Sequence, residues 1–205
     1  MTKVGGKMID YKTFMAHAAK VCGSAHLKLT DKHKMLRGVK HFESGNAVAT
    51  DAHRLYFAQA IHDRNDSAVI TPKGKVLEGD YPDVSRLIPD SGNAKQELEI
   101  DVGEMLKGAD IIASLGKIIE PVPSIKLQEN ELYFYSVEMK IRYFLDVKFE
   151  ESLWLNAQYL LDAMKLFKAA KCQKAIFRYY GRVRPITLTN DEESLLALIL
   201  PIRKY

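Results

Sequence analysis

The chain has 205 residues, 47% of them hydrophobic, and its 30 Lys and Arg against 26 Asp and Glu leave a formal charge of +4. That apolar share can bury one large core or two modest ones, and so mild a basic excess does not by itself demand nucleic acid. No apolar run approaches the roughly 18 residues of a membrane-spanning helix and MTKVGGKMIDYK lacks the apolar core of a signal segment, so a cytoplasmic location without membrane contact is expected.

The first predicted helix lies in MIDYKTFMAHAAKVCG, where Ile9, Phe14, Met15, Ala18 and Ala19 share a face and Gly23 marks a stop. MLRGVKHFESGNAVAT and HRLYFAQAI follow as strands, with a Ser44–Gly45–Asn46 turn and a tight Asp51–Ala52 corner. Ser67–Gln96 holds three of the seven prolines and reads as an extended connector, with a domain boundary near Asp90–Lys95. A second helix, capped by Asp101 and ended by Gly116, buries Val102, Met105, Leu106, Ala109 and Ile112. Alternating strands come next: SIKLQENELYFYS around a Glu129–Asn130 turn, then MKIRYFLDVKF. Asn156 caps a third helix with a Leu160, Leu161, Met164, Phe167 stripe, and KAIFRYYGRVRPITLT and SLLALILPI supply the last strands. Three helix-then-strands units point to an internal repeat.

Chemistry is sparse. The sequence carries no GxSxG, HExxH or GxxxxGK[ST] pattern, and adjacent acidic pairs such as Glu150–Glu151 would point to opposite faces of a strand. No enzyme and no cofactor are expected. His17, Cys22 and His26 are close in sequence but lack the four tightly spaced ligands of structural zinc, so no metal site is expected. Cys22 and Cys172 read as reduced thiols. FRYYGRVRP (Phe177–Pro185) interleaves aromatics with arginines in a way that suits single-stranded nucleic acid, but a sheet hairpin with one buried face accounts for it better.

Four segments carry a resemblance. VATDAHRL within Val48–Phe57 is similar to VATDGHRL, YPDVSRLIP (Tyr81–Pro89) to FPDYRRVLP, LILPIRKY (Leu198–Tyr205) to a VVMPMRL terminus, and MLRG (Met35–Gly38) to YLNG. These are segments of the bacterial DNA polymerase III β sliding clamp family, and they occur here in the family's order. The resemblance implies an α+β fold of repeated helix-plus-antiparallel-sheet units. It divides the chain into a truncated N-terminal clamp-like domain with connector at 1–92 and a complete C-terminal clamp domain at 93–205.

It also implies a groove for short peptide motifs. The floor would be Leu36, Thr50, Leu55, Pro82, Leu87, Leu198, Leu200, Pro201 and Ile202, and the rim His53, Arg54, Arg86 and Arg203. Each fully buried Leu or Phe of a ligand gains ~1.5–3 kcal/mol in such a slot, and edge arginines can bond its carbonyls or carboxylates. In the family, helices meet DNA phosphates without reading bases; here Lys12, Lys20, Lys107, Lys165, Lys168 and Lys171 are the matching candidates. The implied partners are DNA polymerase and clamp-loader-type proteins, duplex DNA and further copies of the chain. Ala52 replaces the corner glycine, and Lys204 and Tyr205 extend the usual terminus. The family's first domain has no counterpart, so ring closure through it is not expected. Four chains, three chains, or a monomer that only presents a groove, an adaptor or decoy that does not encircle DNA, all stay open.

Overall fold

Helix α1 (Tyr11–Cys22) starts where the Asp10 side chain accepts a hydrogen bond from the Thr13 N–H at 2.9 Å, and ends where the Gly23 N–H donates to Ala19 O. The structure, a computed structural model, describes residues 9–25, 27 and 31–203. The expectations for His26, Lys204 and Tyr205 lie outside the described residues. α2 (Asp31–Lys34) is one short turn. α3 (Val102–Gly116) is capped by Asp101, which accepts from Glu104 N–H, and α4 (Ala157–Ala169) by Asn156, which accepts from Gln158 and Tyr159 N–H. Side-chain caps of this kind contribute about 1 kcal/mol each; α3 and α4 begin at the expected caps Asp101 and Asn156, whereas Ile9, expected on the face of the first helix, precedes its Asp10 cap.

Eleven strands complete the described residues: β1 (Val39–His41), β2 (Ala47–Thr50), β3 (Arg54–Ala58), β4 (Ala68–Ile70), β5 (Val76–Leu77), β6 (Gln96–Asp101), β7 (Ser124–Tyr135), β8 (Lys140–Asn156), β9 (Lys174–Tyr179), β10 (Ile186–Thr189) and β11 (Leu195–Ile199). Nine form one antiparallel sheet in the order β5-β4-β1-β2-β3-β11-β10-β9-β6, and β7 and β8 form a long hairpin. The join between early and late sequence is β3 against β11, with Leu55 opposite Leu198 and Arg54 opposite Ile199. The regions 1–92 and 93–205 therefore share a single sheet.

Three expectations need correction. Met35–Arg37 is a 3-10 turn and not the start of a strand. The connector is not a free extended link, because β4 within it pairs onto β1 and β5 pairs onto β4. Glu129 does not make a turn; it sits at φ 47 as an irregularity inside a continuous β7, because β8 is long enough to pair both halves. The FRYYGRVRP segment falls on β9 and the turn after it, with Phe177, Tyr179 and Tyr180 buried.

α4 touches both α1 and α3, so the helices form a row on one side of the sheets. Their apolar faces, with Phe14, Met105, Ile112, Met164 and Phe167 fully buried, make the main core against the sheets. A second, smaller cluster of Val48, Leu55, Val84, Leu196 and Leu198 gathers where the connector crosses β2, β3 and β11. Among the described residues, no helix is long and apolar enough to cross a membrane.

Candidate functional site

The β2–β3 corner is locked by its own side chains. Thr50 Oγ1 donates to Arg54 O at 2.8 Å and accepts from the Ala52 N–H at 3.2 Å. Asp51 Oδ1 accepts from the N–H groups of His53 and Arg54 at 3.0 and 2.9 Å. The corner needs one left-handed residue, and Ala52 takes it at φ 73, a position where a glycine would carry no steric cost. The corner then holds the carboxyl-terminal segment: Leu200 N–H donates to His53 O at 2.9 Å, and two residues on, Ile202 N–H donates to Trp154 O at 2.8 Å.

The connector closes the third side. Tyr81 Oη accepts from the Thr50 N–H at 3.2 Å, and Val84 enters the cluster with Leu55 and Leu198. Three stretches far apart in sequence thus meet: Thr50–Leu55, Tyr81–Leu87 and Leu198–Ile202. Leu55 and Leu198 are buried beneath, whereas Leu87 and Leu200 are 47% and 37% exposed. Pro82 is exposed, and Pro201 and Ile202 are half-buried. Leu36 is buried in the Met35–Arg37 turn beside α1 and is not a member of the cluster.

Of the four expected rim residues, His53, Arg86 and Arg203 are exposed, and Arg86 only brushes Asp83 at 3.7 Å. Arg54 is a correction, since its side chain points inward and is 4% exposed. Its Nε bonds Asp51 Oδ2 at 3.1 Å, Nη1 bonds Asp162 Oδ2 at 2.7 Å, and Nη2 donates to Lys20 O at 3.0 Å. Its guanidinium also lies 4.3 Å from the Tyr159 ring centre. A buried guanidinium must fill its donors, and two buried carboxylates supply what water would have given. Burial alone would push the Asp162 carboxyl up, but the hydrogen bonds and charges of Arg54 and Lys20 hold it below the usual range. Burial pushes the Cys22 thiol beside this network up to about 12, with the Asp51 charge adding to the effect, so Cys22 is not a reactive thiolate.

Sequence reasoning missed Tyr81, Val84, Tyr159 and Trp154. Trp154, with Val183, Ile202 and Arg203, lines a cavity of ≈ 450 Å³ that continues the site past the carboxyl-terminal segment. The single tryptophan of the chain was the one available signal, and nothing in its neighbours ties it to Ile202.

The six lysines expected to meet DNA lie on α1, α3 and α4 or at the end of α4. Three are engaged with carboxylates: Lys20 with Asp162 at 3.1 Å, Lys107 with Glu104 at 2.7 Å and Lys165 with Asp110 at 3.6 Å. Lys12, Lys168 and Lys171 are exposed. The helix row is therefore less cationic than the lysine spacing suggests.

No protein-family model matches the chain. It is similar to the Beta sliding clamp of Lactococcus lactis subsp. lactis (strain IL1403), 27% identical over 150 residues, covering 68% of this chain and 38% of the relative. The Beta sliding clamp of Bacillus subtilis (strain 168) is 28% identical over 141 residues, covering 64% and 36%. The chain thus matches a little over a third of the length of these curated relatives. Among solved structures, the β subunit from DNA polymerase of Streptococcus pyogenes superposes with a TM-score of 0.77 at 20% identity, covering 99% of this chain and 67% of that one. The DNA polymerase sliding clamp from Bacillus subtilis gives 0.72 at 20% identity, covering 100% and 66%. The resemblance read from the four segments holds: the chain is similar in sequence to bacterial β sliding clamps, and its α+β fold is theirs.

Proposed function

From a chain that shares sequence and fold with the bacterial β sliding clamps, we infer a non-enzymatic, clamp-type processivity factor of DNA replication. Its slot takes short peptide motifs of a polymerase, a clamp-loader-type protein or another replication protein, and its helix row faces duplex DNA without reading sequence. It acts in the cytoplasm as a homo-oligomer. The observation that supports this reading is the packing of Leu55, Val84 and Leu198, from three stretches remote in sequence, into one cluster, with Leu87 and Leu200 exposed on the segments that flank it. An apolar floor supplies affinity, and Arg86 and Arg203 at the edge supply polar partners for a peptide backbone. Self-association is supported by α3, which exposes Ile111 and Leu115 at 41% each, and by the turn after it, which exposes Ile118 at 71%, apolar surface suited to burial by another copy.

A second reading, an adaptor or decoy that binds peptide motifs without encircling DNA, is favoured by the carboxylates that occupy Lys20, Lys107 and Lys165. Both readings share the slot. A labelled peptide with a glutamine ahead of a terminal Leu-Phe is expected to bind at micromolar strength, and truncation after Ile199 is expected to abolish binding. Equal affinity after truncation would remove the slot from the account. Retention on circular but not linear DNA separates the clamp from the adaptor.

A further inference from the structure

A second apolar cavity borders the slot, and Val84 belongs to both: it lines this cavity and packs with Leu55 and Leu198. The cavity measures ≈ 470 Å³ and is walled by Phe42, Val48, Phe57, Tyr81 and Ile88, a size in the range of small-ligand sites. Phe42, Phe57, Tyr81 and Ile88 are only partly buried, so the fold leaves their edges in water. Two charged residues, Lys40 and Asp83, stand on its wall. The Asp83 carboxylate is already used: it accepts from Ser85 N–H at 3.0 Å and Ser85 Oγ at 2.6 Å and lies 3.7 Å from Arg86. Lys40 makes no ion pair among the described residues, its ammonium lying 5.8 Å from the Phe42 ring centre. The cavity therefore offers a greasy interior with one cation and one anion on its wall, the Asp83 carboxylate engaged by Ser85 and the Lys40 ammonium in no ion pair among the described residues.

We propose that this cavity is an auxiliary anchor site for the flank of the peptide held in the slot, taking an aromatic or large aliphatic side chain whose neighbour is an Asp or Glu that pairs with Lys40. The continuity through Val84 lets one peptide reach both places, and the charge selects an acidic flank over a basic one. Lys40 is a specificity-determining residue in this scheme, because reversing its charge reverses the preferred flank. The proposal rests on the slot reading given above.

The test uses the full chain and fluorescence anisotropy with a set of peptides. One is the short glutamine-to-Leu-Phe peptide; the others add Phe-Glu or Phe-Lys at its amino or carboxyl end through a Gly-Ser spacer. One Phe-Glu extension is expected to bind about tenfold tighter than the short peptide, and its Phe-Lys counterpart to show no gain. Lys40→Met should cut the Phe-Glu gain to threefold or less, and Lys40→Glu should transfer it to Phe-Lys. Affinity for the short peptide should stay within twofold in both variants, which also shows that they fold. Equal affinity of all extended and short peptides for the wild type, or a Phe-Glu gain that survives Lys40→Glu, overturns the auxiliary site while leaving the slot standing. Failure of the short peptide itself overturns the slot reading, and this proposal with it. Peptide-free dimerisation abolished by Lys40→Glu would give the cavity to a second copy and likewise overturn it.

Discussion

On the helix side of the nine-stranded sheet, apolar side chains such as Phe14, Met105 and Phe167 are wholly buried, and three of the six lysines above them face carboxylates. On the opposite side, the cluster of Leu55, Val84 and Leu198 is roofed only by the connector, and Phe42, Phe57, Leu87 and Leu200 keep part of their surface in water. The first side is a closed core and the second an unfinished one. A fold that finishes one core and leaves the other open at a few leucines and phenylalanines has reserved that second surface for something else. Arg54 marks the divide, since it springs from β3, the strand that sends Leu55 into the small cluster, but spends its charge on Asp51 and on Asp162 of α4.

The sharpest way to break this contrast is Arg54→Met. The substitution takes a buried partner from both Asp51 and Asp162, leaving Lys20 on Asp162, and loss of a buried partner typically costs about 3–5 kcal/mol. Urea unfolding should show a loss of that size; a loss below about 1 kcal/mol would mean that the network is solvated and that the two sides are not tied together here. Acid gives a second handle on the same group. The Asp162 carboxyl is held below its unfolded value, near 3.9 for an ordinary aspartate, by Arg54 and Lys20 against the opposing effect of burial. Its contribution is therefore complete above about pH 4 and is lost as pH falls through the lower folded value. Thermal melts between pH 5 and 2 should steepen in the wild type and flatten in Asp162→Asn; parallel curves would contradict the assignment.

Smaller effects separate binding from stability. Leu200→Ala removes a partly exposed side chain at the slot mouth, so peptide affinity should fall by about 1–2 kcal/mol, the range of an anchor contact. Stability should move by less than about 0.5 kcal/mol, as expected of a surface change. A large drop in melting temperature would instead make Leu200 a core residue. Ala52→Gly relieves the left-handed alanine at φ 73 and is expected to raise stability by up to about 1 kcal/mol, the relief being partly offset by the freer unfolded chain. A loss of stability would show that the corner tolerates alanine without strain.

Much of this was legible in the residue string where the cause is local. Asp10, Asp101 and Asn156 cap the long helices through bonds to N–H groups two or three residues on, and such patterns survive without knowledge of the rest. The buried positions of Leu55 and Leu198 were readable as apolar members of alternating strands. What was hidden depends on partners far along the chain. Arg54 reads as a surface charge until Asp162, 108 positions away, is brought to 2.7 Å. Strands as short as Ala68–Ile70 and Val76–Leu77 carry too few residues for a period, so the connector concealed them. The lysine rows had the right spacing, but the carboxylates facing them from the same or the neighbouring helix could not be counted from spacing alone.

The central claim is that one ligand surface is assembled from the β2–β3 corner, the connector and the carboxyl-terminal segment. Amide and methyl NMR spectra recorded while the short Leu-Phe-ended peptide is titrated test it most directly. Saturable shifts concentrated at Thr50–Leu55, Pro82–Leu87 and Leu198–Ile202, with α1, α3 and α4 undisturbed, are the predicted result. Shifts confined to the helix row, or no saturable shift at millimolar peptide, would contradict it.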